Sequence, residues 1–183
     1  MGVGMLKTFF LGLIAAVLVF CAYVAMLPAE FRIERSATVA ASPEQVFPHI
    51  NDLRKWQGWS PWAKMDPNAK ATFEGAEAGK GAIFNWAGNN QIGEGRMTII
   101  DSRPNEAVQI KLDFLKPWPA SNIADFTLVP DGQQTKVTWA MSGQQGFIEK
   151  AVCVFMNMDR MVGGEFEKGL ANLNAVVAAP SGS

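Results

Sequence analysis

The chain has 183 residues, with 16 Lys and Arg against 17 Asp and Glu and a formal net charge of −1. That balance leaves no surplus positive field for a phosphate backbone, and no basic run stands in the sequence, so nucleic acid is not an expected partner. The two cysteines, Cys21 and Cys153, lie far apart, the first inside an apolar run, which argues against an intrachain disulfide and leaves the redox compartment open.

The first element is the uncharged run from Thr8 to Leu27. About 20 helical residues rise roughly 30 Å, the thickness of a bilayer's hydrocarbon core, so residues 1–28 are expected to form an uncleaved, single-pass transmembrane anchor. Lys7 precedes the run, Pro28 ends it, and Tyr23 lies near one boundary, where an amphipathic ring favours the headgroup layer. The competing interpretations are a cleaved signal peptide and a buried soluble helix. The small-x-small spacing of a cleavage site is not met at Tyr23-Val24-Ala25 or Leu27-Pro28-Ala29, and Phe20 before Cys21 does not suit a lipoprotein signal. Charge does not fix the orientation, because Lys7 stands before the run while Arg32 and Arg35 come after it. A short N-terminal tail ahead of a long translocated domain is the ordinary signal-anchor layout, which leans the expectation towards the periplasmic side of a bacterial inner membrane.

About 150 residues remain beyond the anchor, enough for one domain, expected over 29–179, with a short polar tail at 180–183 that should fray. Phe31 to Ala40 alternates loosely and suits a first strand. Ser42-Pro43-Glu44-Gln45 reads as a helix start: a serine cap, proline at the first helical position, and glutamine three residues after the cap. Val46, Phe47, Ile50 and Leu53 fall on one face of that helix, and Pro48 inside it removes a backbone donor, which predicts a bend or an early end.

From Asn68 to Gly143 the period changes to short alternating stretches separated by turn residues, which predicts an antiparallel meander of six strands. They run roughly Ala69 to Glu74, Gly81 to Trp86, Gln91 to Ser102, Ala107 to Leu115, Ser121 to Pro130 and Thr135 to Ser142. Alternation puts Val108, Ile110, Leu112 and Phe114 on one face with Ala124, Phe126 and Leu128, and Gln109, Lys111, Asp113 and Asp125 on the other. Phe147 to Val177 returns to helical spacing, predicting one long helix on the apolar face, with a bend or a close backbone approach at Gly163-Gly164.

Several stretches carry a resemblance. Trp59-Ser60-Pro61-Trp62, Gly93-Glu94-Gly95-Arg96-Met97-Thr98-Ile99, Leu112-Asp113-Phe114 before a proline-rich hairpin, and Phe166-Glu167-Lys168-Gly169-Leu170-Ala171-Asn172-Leu173 resemble bacterial SRPBCC proteins of the polyketide cyclase/dehydrase-like group. The resemblance covers about residues 31–178 and implies an α+β, START-like helix-grip fold: a curved antiparallel sheet of about seven strands wrapped on the long C-terminal helix, with a hydrophobic cavity between them. It carries over no catalytic set, no cofactor and no oligomeric state, because this superfamily includes carriers, hormone-binding proteins, enzymes and chaperone activators.

Chemistry-bearing side chains are sparse. His49 is the sole histidine and has no acidic or cysteine cluster at ligand spacing, so no metal site is expected. As a general base it would need a partner, and it lies off the apolar face of its helix. Glu94 and Arg96, two apart on a strand, share a face opposite Gly95, Met97 and Ile99. They form either a wet-face ion pair with cross-strand neighbours or a polar spot that orients a ligand carbonyl. Asp113 and Asp125 project outward, which speaks against a two-carboxylate hydrolase.

The aromatic content is more informative. Trp56, Trp59 and Trp62 recur every third residue, and Trp86 and Trp118 lie on the strands and the Pro117-Trp118-Pro119 hairpin. Large rigid rings around a gap between helix and sheet line apolar pockets. Trp59, Trp62, Trp86, Met97, Leu112, Phe114, Trp118, Met158 and Met161 are therefore the expected walls. These walls imply binding of a hydrophobic small molecule or lipid beside the membrane. The alternatives are a cyclase- or dehydratase-like enzyme using Glu94, Arg96 or His49, and a protein-interaction module with a filled interior.

Overall fold

The computed structural model describes residues 3–179, and the expected tail at 180–183 lies outside them. The elements run in the order α1 (Val3–Met26), β1 (Glu30–Val39), α2 (Pro43–Asn51), two 3-10 turns (Lys55–Gly58 and Pro61–Lys64), β2 (Lys70–Gly75), β3 (Ala82–Ala87), β4 (Glu94–Arg103), β5 (Ala107–Lys116), β6 (Ala120–Asp131), β7 (Gln134–Gln144), α3 (Phe147–Phe155) and α4 (Met158–Ala178). The strands make one seven-stranded sheet in the order β1-β7-β6-β5-β4-β3-β2, antiparallel from β2 through β7. The chain divides into two compact units: the segment ending at Phe31 with Gln144–Asn157, and Arg32–Gly143 with the segment that begins at Met158.

The larger unit is a helix-grip fold. Its meander forms because β-branched and aromatic residues alternate with polar ones between turn-forming residues, so each strand buries one face. Val108, Ile110, Ala124, Phe126, Leu128, Val137, Trp139 and Met141 are buried on the inner face, as their alternation predicts. Against this face lies α4, whose Phe166, Leu170 and Leu173 are 2%, 1% and 0% exposed. The Phe166 ring stacks on Trp139 at 4.2 Å between centroids and 10° between planes.

The last helix differs from the single rod expected over Phe147 to Val177. Met156 takes extended backbone angles and ends α3, and a new helix begins at Met158 with Asp159 in its first turn, where a carboxylate complements the helix dipole. The chain continues as one helix through Gly163-Gly164. The second of the two predicted roles of that pair is the one observed, a close approach. Arg35, pointing inward from β1, lays its guanidinium across Gly163, where an added Cβ would stand 2.2 Å from Nη2. There Arg35 donates to both carboxylate oxygens and the carbonyl of Asp159, to Glu167 at 2.7 Å and to the Glu34 carbonyl. These bonds hold the guanidinium pKa above its usual value and the Asp159 carboxyl below its own.

The tryptophan repeat has a local cause. In α2, Ser42 caps the N-terminus and its backbone N–H donates to the Gln45 side chain, while the last turn leaves carbonyls without intrahelical donors. The indole of Trp59 donates to His49 O at 3.0 Å and that of Trp56 to Ile50 O at 2.9 Å, and the Gly79 N–H reaches Asn51 O at 2.9 Å. A period of three matches the 3-10 turns that carry these rings.

In the smaller unit α1 carries no charge after Lys7, and Leu6–Met26 is long and apolar enough to cross a membrane. Helix α3 packs beside its C-terminal part. The Lys150 ammonium donates to the Ala25 and Leu27 carbonyls at 3.3 and 2.9 Å, capping α1 with a positive charge.

Candidate functional site

The residues predicted to line a ligand space fall into separate places. Trp59 is completely buried, packed against Trp56 at 4.6 Å, Trp139 at 5.7 Å and Phe126 at 6.2 Å. Trp62 is half-buried and meets Trp139 and Phe166 edge to face. At the level of Trp139, therefore, the space beneath α4 is filled with rings, a correction to the hollow expected along the whole helix. The reason is volume: Trp56, Trp59, Trp62, Phe126, Trp139 and Phe166 converge there, and interiors pack to crystal density. The Trp139 indole N–H is buried in this cluster without a hydrogen-bond partner.

Towards β2 and the other end of the strands, the inner face changes character. Strand register aligns Ala71, Trp86, Gly95, Phe114 and Ala120 in one row, and Phe73, Phe84, Met97, Leu112 and Asn122 in the next. Ile99, Ile110, Ala124 and Met141 form a third row and are all buried. Phe73, Trp86, Met97, Leu112 and Phe114, in the first two rows, remain half-exposed. They form a continuous apolar trough on the face that is sealed elsewhere by α4 and the tryptophan cluster.

Two details shape the trough. Gly95 is buried beneath the Trp86 ring; an added Cβ there would lie 2.4 Å from ring atoms Cη2 and Cζ2 and 2.6 Å from the Asp113 carbonyl oxygen. The same indole donates to Ile92 O at 2.9 Å, so it is held at both its edge and its face. Asn122, 8% exposed, sets an amide among apolar neighbours, with Nδ2 4.0 Å from the Met141 sulfur, a weak acceptor. Asn122 is absent from the residues singled out in the sequence. The alternation through Ala124, Phe126 and Leu128 was the available signal, because two residues further back it lands on a polar side chain facing inward.

Glu94 and Arg96 lie on the opposite, outer face. There an open groove of about 810 Å³ is lined by Lys70, Thr72, Asn85, Glu94, Arg96, Lys111, Asp113 and Ser121, together with Trp86, Phe114, Leu115 and Pro119 among others. Glu94 pairs with Lys116 on the neighbouring strand at 2.6 Å, and Arg96 Nε donates to Asn85 Oδ1 at 2.7 Å. Asp113 accepts from Ser121 at 2.7 Å and pairs with Lys111 at 3.1 Å. Burial pushes the Asp113 carboxyl up, but these donors outweigh it and hold the group below the usual carboxylate range. Both groove carboxylates are thus ionised and engaged, the opposite of a base poised to take a proton.

His49 is not among the groove residues. Partial burial is the main cause lowering its pKa, with Lys55 adding to it, so the imidazole is held neutral. Trp118 projects from the β5–β6 hairpin at 76% exposure, Met161 is 53% exposed on α4, and Met158 is half-buried at the start of that helix. Among the described residues no three His, Cys, Asp or Glu side chains stand close enough to hold a metal ion.

A seven-stranded antiparallel sheet gripping a C-terminal helix, with an apolar trough at one end of the grip, defines a helix-grip protein. The chain belongs to the family described as polyketide cyclase / dehydrase and lipid transport, whose model matches residues 30–178. No curated protein matches it. Among solved structures it is similar to truncated norcoclaurine synthase from Thalictrum flavum (10% identity, TM-score 0.63, covering 83% of this chain and 96% of that one). It is also similar to the Aha1 dimer from Colwellia psychrerythraea (16% identity, TM-score 0.60, 83% and 99%) and to protein CV1439 from Chromobacterium violaceum (16% identity, TM-score 0.59, 84% and 100%). At these identities the likeness concerns the fold. Family membership supports a role in binding a hydrophobic ligand or in cyclase-like chemistry.

Proposed function

We propose that the protein binds a hydrophobic small molecule or lipid in the inner-face trough, and that α1 anchors it in a bacterial inner membrane with the larger unit on the periplasmic side. The observation that carries the binding reading is the change in burial along the strands: the first two rows keep five large apolar side chains half-exposed, while the third row is sealed. Soluble domains rarely leave such a continuous apolar surface without a use for it. A single buried amide, Asn122, among these side chains matches the usual make-up of a small-molecule site, apolar walls with few polar groups that fix orientation. The guest is then an elongated or flat apolar molecule with one carbonyl or hydroxyl for that amide. An anchor raises the local concentration of bilayer molecules without adding a contact.

The enzyme reading has less support, because the inner face near the trough presents one amide and no ionisable pair, while Glu94 and Arg96 sit on the outer face in settled pairs. The test uses the full chain in vesicles of phosphatidylethanolamine and phosphatidylglycerol doped with a diazirine-bearing fatty acyl lipid. Photolysis should place crosslinks on peptides carrying Trp86, Met97 and Leu112, and Leu112→Glu should abolish them. Crosslinks confined to α1 would refute binding in the trough.

A further inference from the structure

We infer that α3 is a second membrane-contacting element, a short helix that lies against the last turns of α1 and presents Ile148, Val152 and Phe155 to the bilayer. The inference rests on the reading of α1 as an anchor, and extends it to a segment whose sequence is far too short to span. Three observations point the same way. First, α3 has no buried residue, and Ile148, Val152 and Phe155 are 72%, 46% and 79% exposed. At spacings of four and three they form one stripe, and the intervening Ala151 joins it.

Second, α3 is continuous with the apolar surface of α1. Phe155 meets Phe20 at 5.7 Å between ring centroids, and Val24, one turn beyond Phe20, is fully buried in a helix that is otherwise almost wholly exposed. At the other end of α3, Lys150 caps the Ala25 and Leu27 carbonyls, and Gln145 N–H reaches Ala29 O at 2.7 Å. The helix therefore runs back along α1 from its C-terminal end. Phe20 precedes Leu27 by seven residues, so at 1.5 Å per residue the tip of α3 reaches about 10 Å back along the apolar run. That is the depth at which amphipathic helices seat their apolar face, about 5–10 Å into the headgroup and acyl boundary.

Third, polarity is sorted along the element. Glu149 and Lys150, the charged residues of α3, both lie in its first turn, Glu149 accepting from the Gly146 N–H and Lys150 bound to the end of α1. The remainder of the helix, Ala151 to Phe155, is uncharged. The charged end stands where α1 would emerge from the bilayer and the apolar end beside residues that would lie within it.

The test uses the full chain with Cys21→Ala and Cys153→Ala and single cysteines labelled with bimane, reconstituted in phosphatidylethanolamine and phosphatidylglycerol vesicles with or without brominated acyl chains. Phe155→Cys and, as a second position should the first misfold, Ile148→Cys are expected to show blue-shifted emission that brominated lipid quenches and aqueous iodide does not. Leu13→Cys reports α1, and Lys136→Cys on β7 reports water. Lipid quenching at 13 with iodide quenching at 155 and 148 would overturn the inference and leave the anchor standing. Iodide quenching at 13 as well would overturn both. A label at 155 shielded from both quenchers would mean that protein, such as a second copy of the chain, covers the stripe, and would also overturn it.

Discussion

Gly95→Ala tests whether the trough wall is built as described. The new Cβ would stand 2.4 Å from Trp86 Cη2 and Cζ2 and 2.6 Å from the Asp113 carbonyl oxygen. The ring has little room to yield, since its N–H holds Ile92 O and Phe84 and Phe114 flank it at 6.1 and 5.9 Å. The carbonyl belongs to β5, so relief on that side requires a strand to move. Overpacking of this kind costs about 1–3 kcal/mol. Alanine in a strand returns about 0.5–1 kcal/mol relative to glycine. The net is a destabilisation of about 1–2 kcal/mol, or roughly 2–8 °C in Tm for a chain of this size. Thermal unfolding of the full chain in detergent micelles, tracked by tryptophan emission, measures it. In a Trp86→Ala background the cost should shrink, because the ring contact is gone. A Gly95→Ala protein that melts at or above the wild-type temperature with unchanged emission would refute the reasoning.

Other outcomes rest on the same geometry. Phe166→Ala, at 2% exposure under Trp139, should cost about 3–5 kcal/mol in a denaturant titration, whereas Leu112→Ala in the half-exposed trough should cost clearly less. Asn122→Leu should leave stability unchanged or raised while lowering crosslinking to the acyl lipid, because the amide has only a sulfur as its close partner. The Asp159 carboxyl has a folded pKa below its unfolded value because Arg35 binds it. Its contribution is therefore present above about pH 4, the unfolded carboxylate range, and is lost as pH falls through the lower folded value. Arg35→Gln should narrow the gap in Tm between neutral pH and pH 3; an unchanged gap would count against the ion pair.

The candidate site is only partly legible in sequence. Trp86, Met97, Leu112 and Phe114 are readable because strand alternation assigns a face, and the face is correct for each. Trp59 illustrates the limit of composition. A tryptophan beside Ser-Pro looks the same whether its ring lines a pocket or its indole closes the end of a helix, and here it does the latter at His49 O. Asn122 escapes notice because a polar residue near a strand start usually serves as turn material, and its inward direction depends on exact register. Glu94 and Arg96 share one face as their spacing requires, but which partners they take depends on the cross-strand neighbours Lys116 and Asn85.

What the sequence by itself determined is the set of local periods: an apolar run of bilayer length, six alternating strands in a meander, a capped short helix, and a terminal stretch at helical spacing. These arise from chain geometry, in which a period of two or of three to four residues decides which side chains share a face. Tertiary structure alone decided where that face is filled and where it is left open, since filling depends on which rings from distant segments converge on the same volume. It likewise decided the break at Met156 and the continuity at Gly163, because the second depends on a guanidinium from β1 that no local pattern announces.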